Sequence, residues 1–206
     1  MLPLVQREDG VVSFAPPAHD DEGLVHALRE GDPDAPTVLF DRYGPYIQRV
    51  LARIVGYSEP ERADLLHDVF VRALERVGDI KNPRALKSWL VGIAVFTAQE
   101  WIRRRKRTGP PLGPEHGADR EGPSASPEAV EAFRSFRSVM ARLDDEERTM
   151  FVLRFLEGMK LDEIAEACNL SISTARRRVL RAEERFREIV PEYPALLERL
   201  EASKKS

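Results

Sequence analysis

The sequence predicts an all-α protein in which a flexible linker joins two small helical domains. Apolar residues make up 42% of the chain and charged residues 33%, a balance typical of amphipathic helices covered by charge. Between Thr108 and Val130, five prolines and four glycines interrupt the helical patterns, with few large apolar side chains. We therefore predict domains at 20–107 and 131–200, a flexible linker at 108–130, and flexible ends at 1–19 and 201–206.

Two helices are predicted at the start of the first domain. A short helix over Glu22–Glu30 should end at Gly31, because the glycine and the nearby Pro33 interrupt the hydrogen-bond ladder. A longer helix should follow over Asp34–Val55, where apolar residues recur at intervals of three and four. Gly56 is the expected terminator of this second helix.

A third helix should begin at the run Ser58-Glu59-Pro60-Glu61, which has the spacing of a capping box with a proline in the first turn. We expect Gly78 to end it. Its predicted buried face consists of apolar residues at helical spacing: Leu66, Val69, Phe70, Ala73, Leu74 and Val77. The remaining faces carry its polar side chains: Asp64, His67, Asp68 and Arg72.

The fourth helix is predicted to be apolar first and basic last. It carries Leu86, Trp89 and Trp101 at helical spacing and runs into five consecutive cations: Arg103, Arg104, Arg105, Lys106 and Arg107. Cations favour the C-terminus of any helix, but that effect accounts for about two of them. Contact with phosphates or an acidic partner is the favoured interpretation, and a solvated basic tail is the alternative.

The clearest local signal is a helix-turn-helix over Leu161–Arg187. Its first helix should end at Cys168, and Asn169 suits the left-handed conformation that such a turn needs. Ser171 can cap the second helix, which starts at Ile172.

The second helix of this motif separates small apolar residues from arginines. Ala175, Val179, Ala182 and Phe186 repeat at intervals of four, three and four and should face inward. Its outward face and leading turn are the parts that enter a DNA major groove in this motif, and they comprise Ser173, Thr174, Arg176, Arg177, Arg178 and Arg181. The competing interpretation is an ordinary helical hairpin with a basic solvent face.

Several classes of site are excluded or disfavoured by composition. The single cysteine, Cys168, cannot form an internal disulfide, and we interpret it as a small core residue. Clustered zinc ligands, a membrane-length apolar run and a signal-peptide core are all missing, so we expect a cytoplasmic protein without a metal or cofactor. Without a glycine-rich phosphate loop or a nucleophile with a matching base, an enzyme is the least favoured class.

Motifs in both halves resemble one family, the bacterial RNA polymerase sigma factors, and within it the compact extracytoplasmic-function group. The resemblance covers roughly residues 22–190. In the first half the similar segments are Gly31–Ala35, Leu39–Tyr43, Asp64–Phe70 and Trp89–Ala94. In the second half they are Leu143–Arg148, Leu153–Gly158 and Glu163–Glu166. The order and spacing of these segments are what make the resemblance specific.

The resemblance implies a promoter-specificity subunit that binds core RNA polymerase and helps to open promoters. The polar face of the third helix, with Asp64, His67, Asp68 and Arg72, would dock on the clamp helices of the largest polymerase subunit, and the second domain would contact the flap of the second largest. The helix-turn-helix would read the upstream promoter element. The downstream element would be bound by the loop over residues 79–87 and the helix after it, through Asn82, Arg84, Lys87, Phe96 and the basic run 103–107. An anti-sigma protein is the further partner that the family implies.

Three positions depart from the family pattern. Pro36 stands where Phe is frequent, which bears on where the second helix begins, and Arg177 replaces a residue that is commonly small and polar. Phe96 replaces a common Asn; we interpret it as a core residue, and stacking on an unpaired base is the alternative. The alternative function for the whole chain is a sigma-like decoy that binds an anti-sigma protein without opening promoters.

Overall fold

A computed structural model describes residues 20–56, 61–108 and 126–203. Every regular element in these ranges is helical, as predicted. The N-terminal half contains α1 (Asp21–Arg29), α2 (Ala35–Val55), α3 (Arg62–Glu75) and α4 (Leu86–Thr108). The C-terminal half contains α5 (Pro127–Arg142), α6 (Asp145–Phe151), α7 (Leu161–Ala167), α8 (Ile172–Ile189) and α9 (Pro194–Ser203). Short 3-10 segments lie at Val77–Asp79, Pro83–Ala85 and Val190–Glu192, and a π-helical segment at Val152–Leu156.

The first two helices begin and end close to the predicted residues. The side chain of Asp20 caps α1 by accepting a hydrogen bond from the Gly23 N–H at 2.8 Å. Gly31 follows α1 with a φ of 75°, a backbone conformation that favours glycine. Pro36 lies in the first turn of α2, where its missing N–H leaves no hydrogen bond unmade, so this departure from the family pattern does not displace the helix.

The start of α3 is only partly described. The predicted capping box falls mainly on residues 57–60, which lie outside the described ranges, and the helix begins at Arg62. The Glu61 carboxylate accepts a hydrogen bond from the indole N–H of Trp101, which joins the start of α3 to the end of α4. The prediction that Leu74 is buried is wrong, because its side chain is 38% exposed. Leu65, which the predicted buried face did not include, is buried instead.

The C-terminal half is organised around a cluster of aromatic rings. Phe151 of α6 stacks on Phe186 of α8 with ring centroids 4.3 Å apart, and Ile189 is buried beside them. Ser126 caps α5 through the Ala129 N–H, so this helix begins inside the segment predicted as linker. The remainder of that linker, residues 109–125, lies outside the described ranges.

The helix-turn-helix has the predicted geometry. Asn169 adopts a φ of 52° after α7, which is the left-handed conformation expected there. The Ser171 hydroxyl accepts a hydrogen bond from the Thr174 N–H at 3.2 Å and so caps α8. The predicted inward residues are all buried: Ala175, Val179, Ala182 and Phe186.

The two halves pack directly against each other, a contact that the sequence pattern does not predict. Helix α7 lies on α4, and one continuous apolar cluster extends through both halves. Ion pairs that cross the boundary include Arg53 with Glu157 and Lys106 with Asp145. The Arg148 guanidinium also donates a hydrogen bond to the Ile54 carbonyl at 3.3 Å. The described residues therefore form one closed body.

Candidate nucleic-acid interface

The arginines on the outer side of α8 fall into two groups. Arg176 and Arg177 are exposed, and neither has an acidic partner among the described residues. Arg178 forms an ion pair with Glu146 at 2.6 Å. Arg181 contacts two acids of the segment around α6, Glu147 at 3.1 Å and Asp144 at 3.6 Å. The second pair of arginines therefore anchors α8 to its own domain, and the first pair projects into solvent.

The leading turn of α8 is rich in hydroxyl groups that bond to one another. The Ser171 hydroxyl lies 3.0 Å from that of Ser173 and 2.8 Å from that of Thr174. Ser173 also lines a shallow concavity on the outer face of the helix, together with Arg176, Arg177, Leu180, Arg181 and Glu184. Four of the six predicted upstream contacts thus lie along one surface, while Thr174 and Arg178 are half-buried beside it.

The basic end of α4 keeps most of its cations at the surface. Arg103, Arg104, Lys106 and Arg107 are exposed, whereas Arg105 is half-buried with its guanidinium 4.9 Å from the centre of the Trp101 ring. Lys106 pairs with Asp145 of the other half, so it also helps to hold the closed arrangement.

The loop before α4 is held by contacts with α1, and the first turn of α4 contacts α2. The Arg29 guanidinium donates hydrogen bonds to the carbonyls of Val77, at 3.3 Å, and Ile80, at 2.5 Å. Arg84 pairs with Glu22 of α1 at 3.0 Å, and the Lys87 ammonium lies 4.3 Å from the centre of the Tyr46 ring. The remaining predicted loop contact, Asn82, is exposed and caps the Pro83–Ala85 turn by accepting from the Arg84 N–H. The loop is therefore ordered by its own domain.

Phe96 lies on the outer side of α4. The interpretation of this residue as core is wrong, since its side chain is 49% exposed. The guanidinium of Arg72 sits 5.4 Å from the ring centre and is fixed by an ion pair with Glu100 at 2.6 Å. The ring is thus accessible on a helix that also carries the basic run.

The outer face of α3 combines acidic and apolar side chains. Asp64, His67 and Asp68 are exposed as predicted, but Arg72 turns toward α4. Val71 and Leu74 are exposed on the same helix and were missed as surface residues. Periodicity could not separate them from core positions, because exposed and buried apolar residues alternate along α3.

Cys168 packs against the core at the end of α7. Burial raises the pKa of its thiol to about 12, so the thiolate is strongly disfavoured at neutral pH. Among the described residues, no group of three or more potential ligands is placed to hold a metal ion. Within the same ranges, no helix combines the length and apolarity needed to span a lipid bilayer.

Both halves of the chain match the models of known protein families. The family description "Sigma-70 region 2" matches residues 39–108, and "Sigma-70, region 4" matches residues 133–186, so together they cover more than half of the chain in the order found in one family. The chain belongs to the sigma-70 family. This sigma factor is 27% identical over 176 residues to the ECF RNA polymerase sigma-E factor of Haemophilus influenzae, covering 80% of this chain and 92% of that protein. It is 25% identical over 175 residues to the ECF sigma factor SigW of Bacillus subtilis, with 80% and 93% covered.

Solved structures share the fold of this sigma factor. CnrH, in complex with the cytosolic domain of CnrY, superposes with a TM-score of 0.61 and 20% identity over 84% of this chain and 97% of that one. RpoE from Bartonella quintana, in complex with the anti-sigma factor NepR, gives a TM-score of 0.63 and 19% identity over 77% and 98%. The resemblance to the extracytoplasmic-function group is thereby confirmed, and the role of the chain is that of a sigma subunit, a transcription initiation factor.

Proposed function

We propose that this sigma factor directs core RNA polymerase to promoters with two separated elements and helps to open them. Region 20–107 serves core binding and the downstream element, region 131–200 serves the upstream element, and residues 108–130 connect the two. The observation that carries the proposal is the pair Arg176 and Arg177, which are exposed on α8 without acidic partners in the described ranges. Unpaired arginines on a helix-turn-helix surface can form bidentate contacts with guanine edges or bind phosphates.

In the upstream contact, some side chains of α8 read base edges and others bind the phosphates of the DNA backbone. Arg176 and Arg177 occupy the first turns of α8, the part of such a helix that reaches the floor of the major groove. Arg178 and Arg181 form ion pairs with acidic residues near α6, so they hold α8 at a fixed angle to the rest of the domain. From there they approach the phosphates that flank the bases read by Arg176 and Arg177. Ser173 and Thr174 lie at the edge of this surface and complete the predicted contact set.

The downstream contact uses α4 and the loop that precedes it. Phe96 offers an exposed aromatic face, and unpaired bases stack on such faces with little sequence preference. Asn82 and Arg84 lie on the loop and Lys87 lies in the first turn of α4, while the basic run 103–107 at the end of α4 supplies phosphate contacts. Capture of an extruded base on Phe96 would lower the cost of opening the duplex.

Core polymerase binds the outer face of α3 in this proposal. Asp64, His67 and Asp68 offer polar contacts to the clamp helices, and the exposed Val71 and Leu74 add apolar area beside them. The C-terminal half is proposed to contact the flap. Because this partner and the promoter DNA lie in the cytoplasm, we place the protein there.

A protein antagonist is the further partner proposed. CnrH and the Bartonella RpoE, which share this fold, were solved with a CnrY domain and with NepR. In this structure α7 packs on α4. An anti-sigma protein that binds this arrangement would keep the proposed DNA-binding surfaces of α4 and α8 from separating.

Run-off transcription with purified core polymerase on a promoter library tests this function. The sigma factor is expected to bind core polymerase and to produce transcripts with discrete starts that core polymerase alone does not make. A chain that binds an anti-sigma protein but neither binds core polymerase nor directs a start would be the decoy instead.

A further inference from the structure

The most exposed large apolar side chain of the described residues is Ile172, at 58%. It is the first residue of α8, directly after the capping Ser171. Single exposed apolar residues are common on protein surfaces and need no explanation in themselves. The residues around Ile172 indicate what its exposed side chain could bind.

The polar groups around Ile172 are committed to the helix cap. The Ser171 hydroxyl accepts from the Thr174 N–H and lies within hydrogen-bond distance of the hydroxyls of both Ser173 and Thr174. A hydroxyl cluster that satisfies itself in this way has fewer groups left for a ligand. At the tip of α8, Ile172 is therefore the side chain that projects without a polar role.

The surface that continues from Ile172 is cationic. Arg176 lies one turn further along α8, with Arg177 beside it and Leu180, 48% exposed, a turn beyond. Residues 172–181 include four arginines and no acidic residue. The apolar side chain of Ile172 beside the unpaired Arg176 and Arg177 suits a ligand that carries both negative charges and exposed apolar atoms. Duplex DNA meets both requirements, because each thymine exposes a C5 methyl group in the major groove.

We propose that Ile172 reads a thymine in the upstream promoter element through van der Waals contact with its C5 methyl group. The inference rests on the proposed function, in which the leading turn of α8 enters the major groove. Thymine is the base whose major-groove edge carries a methyl group, so an apolar side chain at the tip distinguishes it from the other three. Burial of one methyl-sized group corresponds to about a fourfold change in affinity.

Replacement of thymidine by deoxyuridine tests this contact, because it removes the methyl group and keeps the base pair. The probe is a duplex recovered from a random library by the wild-type protein assembled with core polymerase. Each thymine of its upstream element is replaced in turn, and the dissociation constant is measured for the wild-type holoenzyme and for Ile172→Ala, Ile172→Val and Leu200→Ala holoenzymes. Leu200 is an exposed apolar residue in α9, away from the surface of α8, and serves as the matched control.

At one thymine, replacement should weaken wild-type binding about fourfold and leave Ile172→Ala binding unchanged. The Ile172→Val and Leu200→Ala proteins should keep the wild-type sensitivity. A uracil effect of the same size in the wild-type and Ile172→Ala proteins, or a recovered element without thymine, would overturn the inference and leave the proposed function standing. A wild-type holoenzyme that recovers no specific duplex would overturn both.

Discussion

Gly92 of α4 lies directly against the backbone of Ala167 in α7. A Cβ atom at Gly92 would come within 3.2 Å of the Ala167 Cα and 3.3 Å of its carbonyl oxygen. Both neighbours are backbone atoms, so the contact can relax only if one helix moves relative to the other. A side chain at this position would therefore require α4 and α7 to separate by a few tenths of an ångström.

Substitution of Gly92 by alanine should strain the packing between the two halves, whereas Gly44→Ala should not. Alanine favours a helix interior over glycine by about 1 kcal/mol, so Gly44→Ala in α2 should raise the free energy of unfolding by roughly that amount. Its Cβ would meet the Phe40 ring at an ordinary distance of 3.5 Å. Gly92→Ala should show less of this gain, because α4 and α7 must separate by a few tenths of an ångström, and denaturant unfolding measures both free energies. Equal stabilisation by the two substitutions would contradict the close packing.

Arg177→Ala and Arg104→Ala should affect promoter binding in different ways. Loss of Arg177 should relax the sequence preference at one upstream position, with a discrimination change of about 1–3 kcal/mol, because a base contact is removed. Loss of Arg104 should weaken binding to all promoters and lower the salt dependence by about one ion, because a phosphate contact is removed. Binding titrations at several salt concentrations on a set of upstream variants measure both effects. A selective loss from Arg104→Ala with a uniform loss from Arg177→Ala would reverse the assignment.

Phe96→Ala should impair promoter opening more than promoter binding. Stacking of one base on an aromatic ring contributes about 1–3 kcal/mol, and Phe96→Tyr should keep most of it. Permanganate reactivity of unpaired thymines reports opening, and a gel-shift assay on the closed duplex reports binding. Phe155→Ala, which also removes an exposed phenyl ring but in the other half, is the control. If Phe96→Ala opened promoters as well as the control, the stacking role would be wrong.

Asp68→Arg should weaken assembly with core polymerase about tenfold or more, since a charge in the proposed docking face is reversed. Leu74→Ser should also weaken assembly, because it removes apolar area from the same face. Glu30→Arg at the end of α1 carries the same charge reversal outside that face and should bind normally. Fluorescence anisotropy of labelled sigma factor titrated with core polymerase gives the three affinities. Wild-type affinity for both α3 variants would exclude this face.

Cys168 should resist alkylation in the native protein. Burial raises the pKa of its thiol to about 12, whereas an unfolded cysteine titrates near 8.5. At pH 8 the native thiolate fraction is therefore lower on the order of a thousandfold. Iodoacetamide labelling followed by mass spectrometry, with and without denaturant, measures the ratio of rates. Comparable rates in the two conditions would show that the thiol is accessible in the folded state.

Local chemistry explains why so much of the fold could be predicted from the sequence. The left-handed Asn169 and the capping Ser171 act within four residues of their partners, so their roles follow from the residue types. The same holds for the amphipathic pattern that placed α2. The exposure of Arg177 also followed from helical spacing around the buried Val179.

Contacts between distant parts of the chain could not be predicted in this way. Arg53 and Glu157 lie 104 positions apart, and nothing in the local sequence of either indicates the other. Phe96 was misassigned because α4 is covered by α2, α3 and α7, so its buried residues leave no clear polar stripe. For the same reason, the pairing of Arg181 with Glu147 appears only when α8 is packed on α6.

Run-off transcription of matched variants measures whether this sigma factor selects promoters through the unpaired arginines of α8. The Arg176→Ala/Arg177→Ala double variant is compared with Arg185→Ala, which removes an arginine paired with Glu188 on the same helix. With core polymerase and the promoter preferred by the wild-type protein, the double variant should lose most of the specific transcript, and Arg185→Ala should retain it. A wild-type level of the same transcript from the double variant would show that these two arginines do not select the promoter.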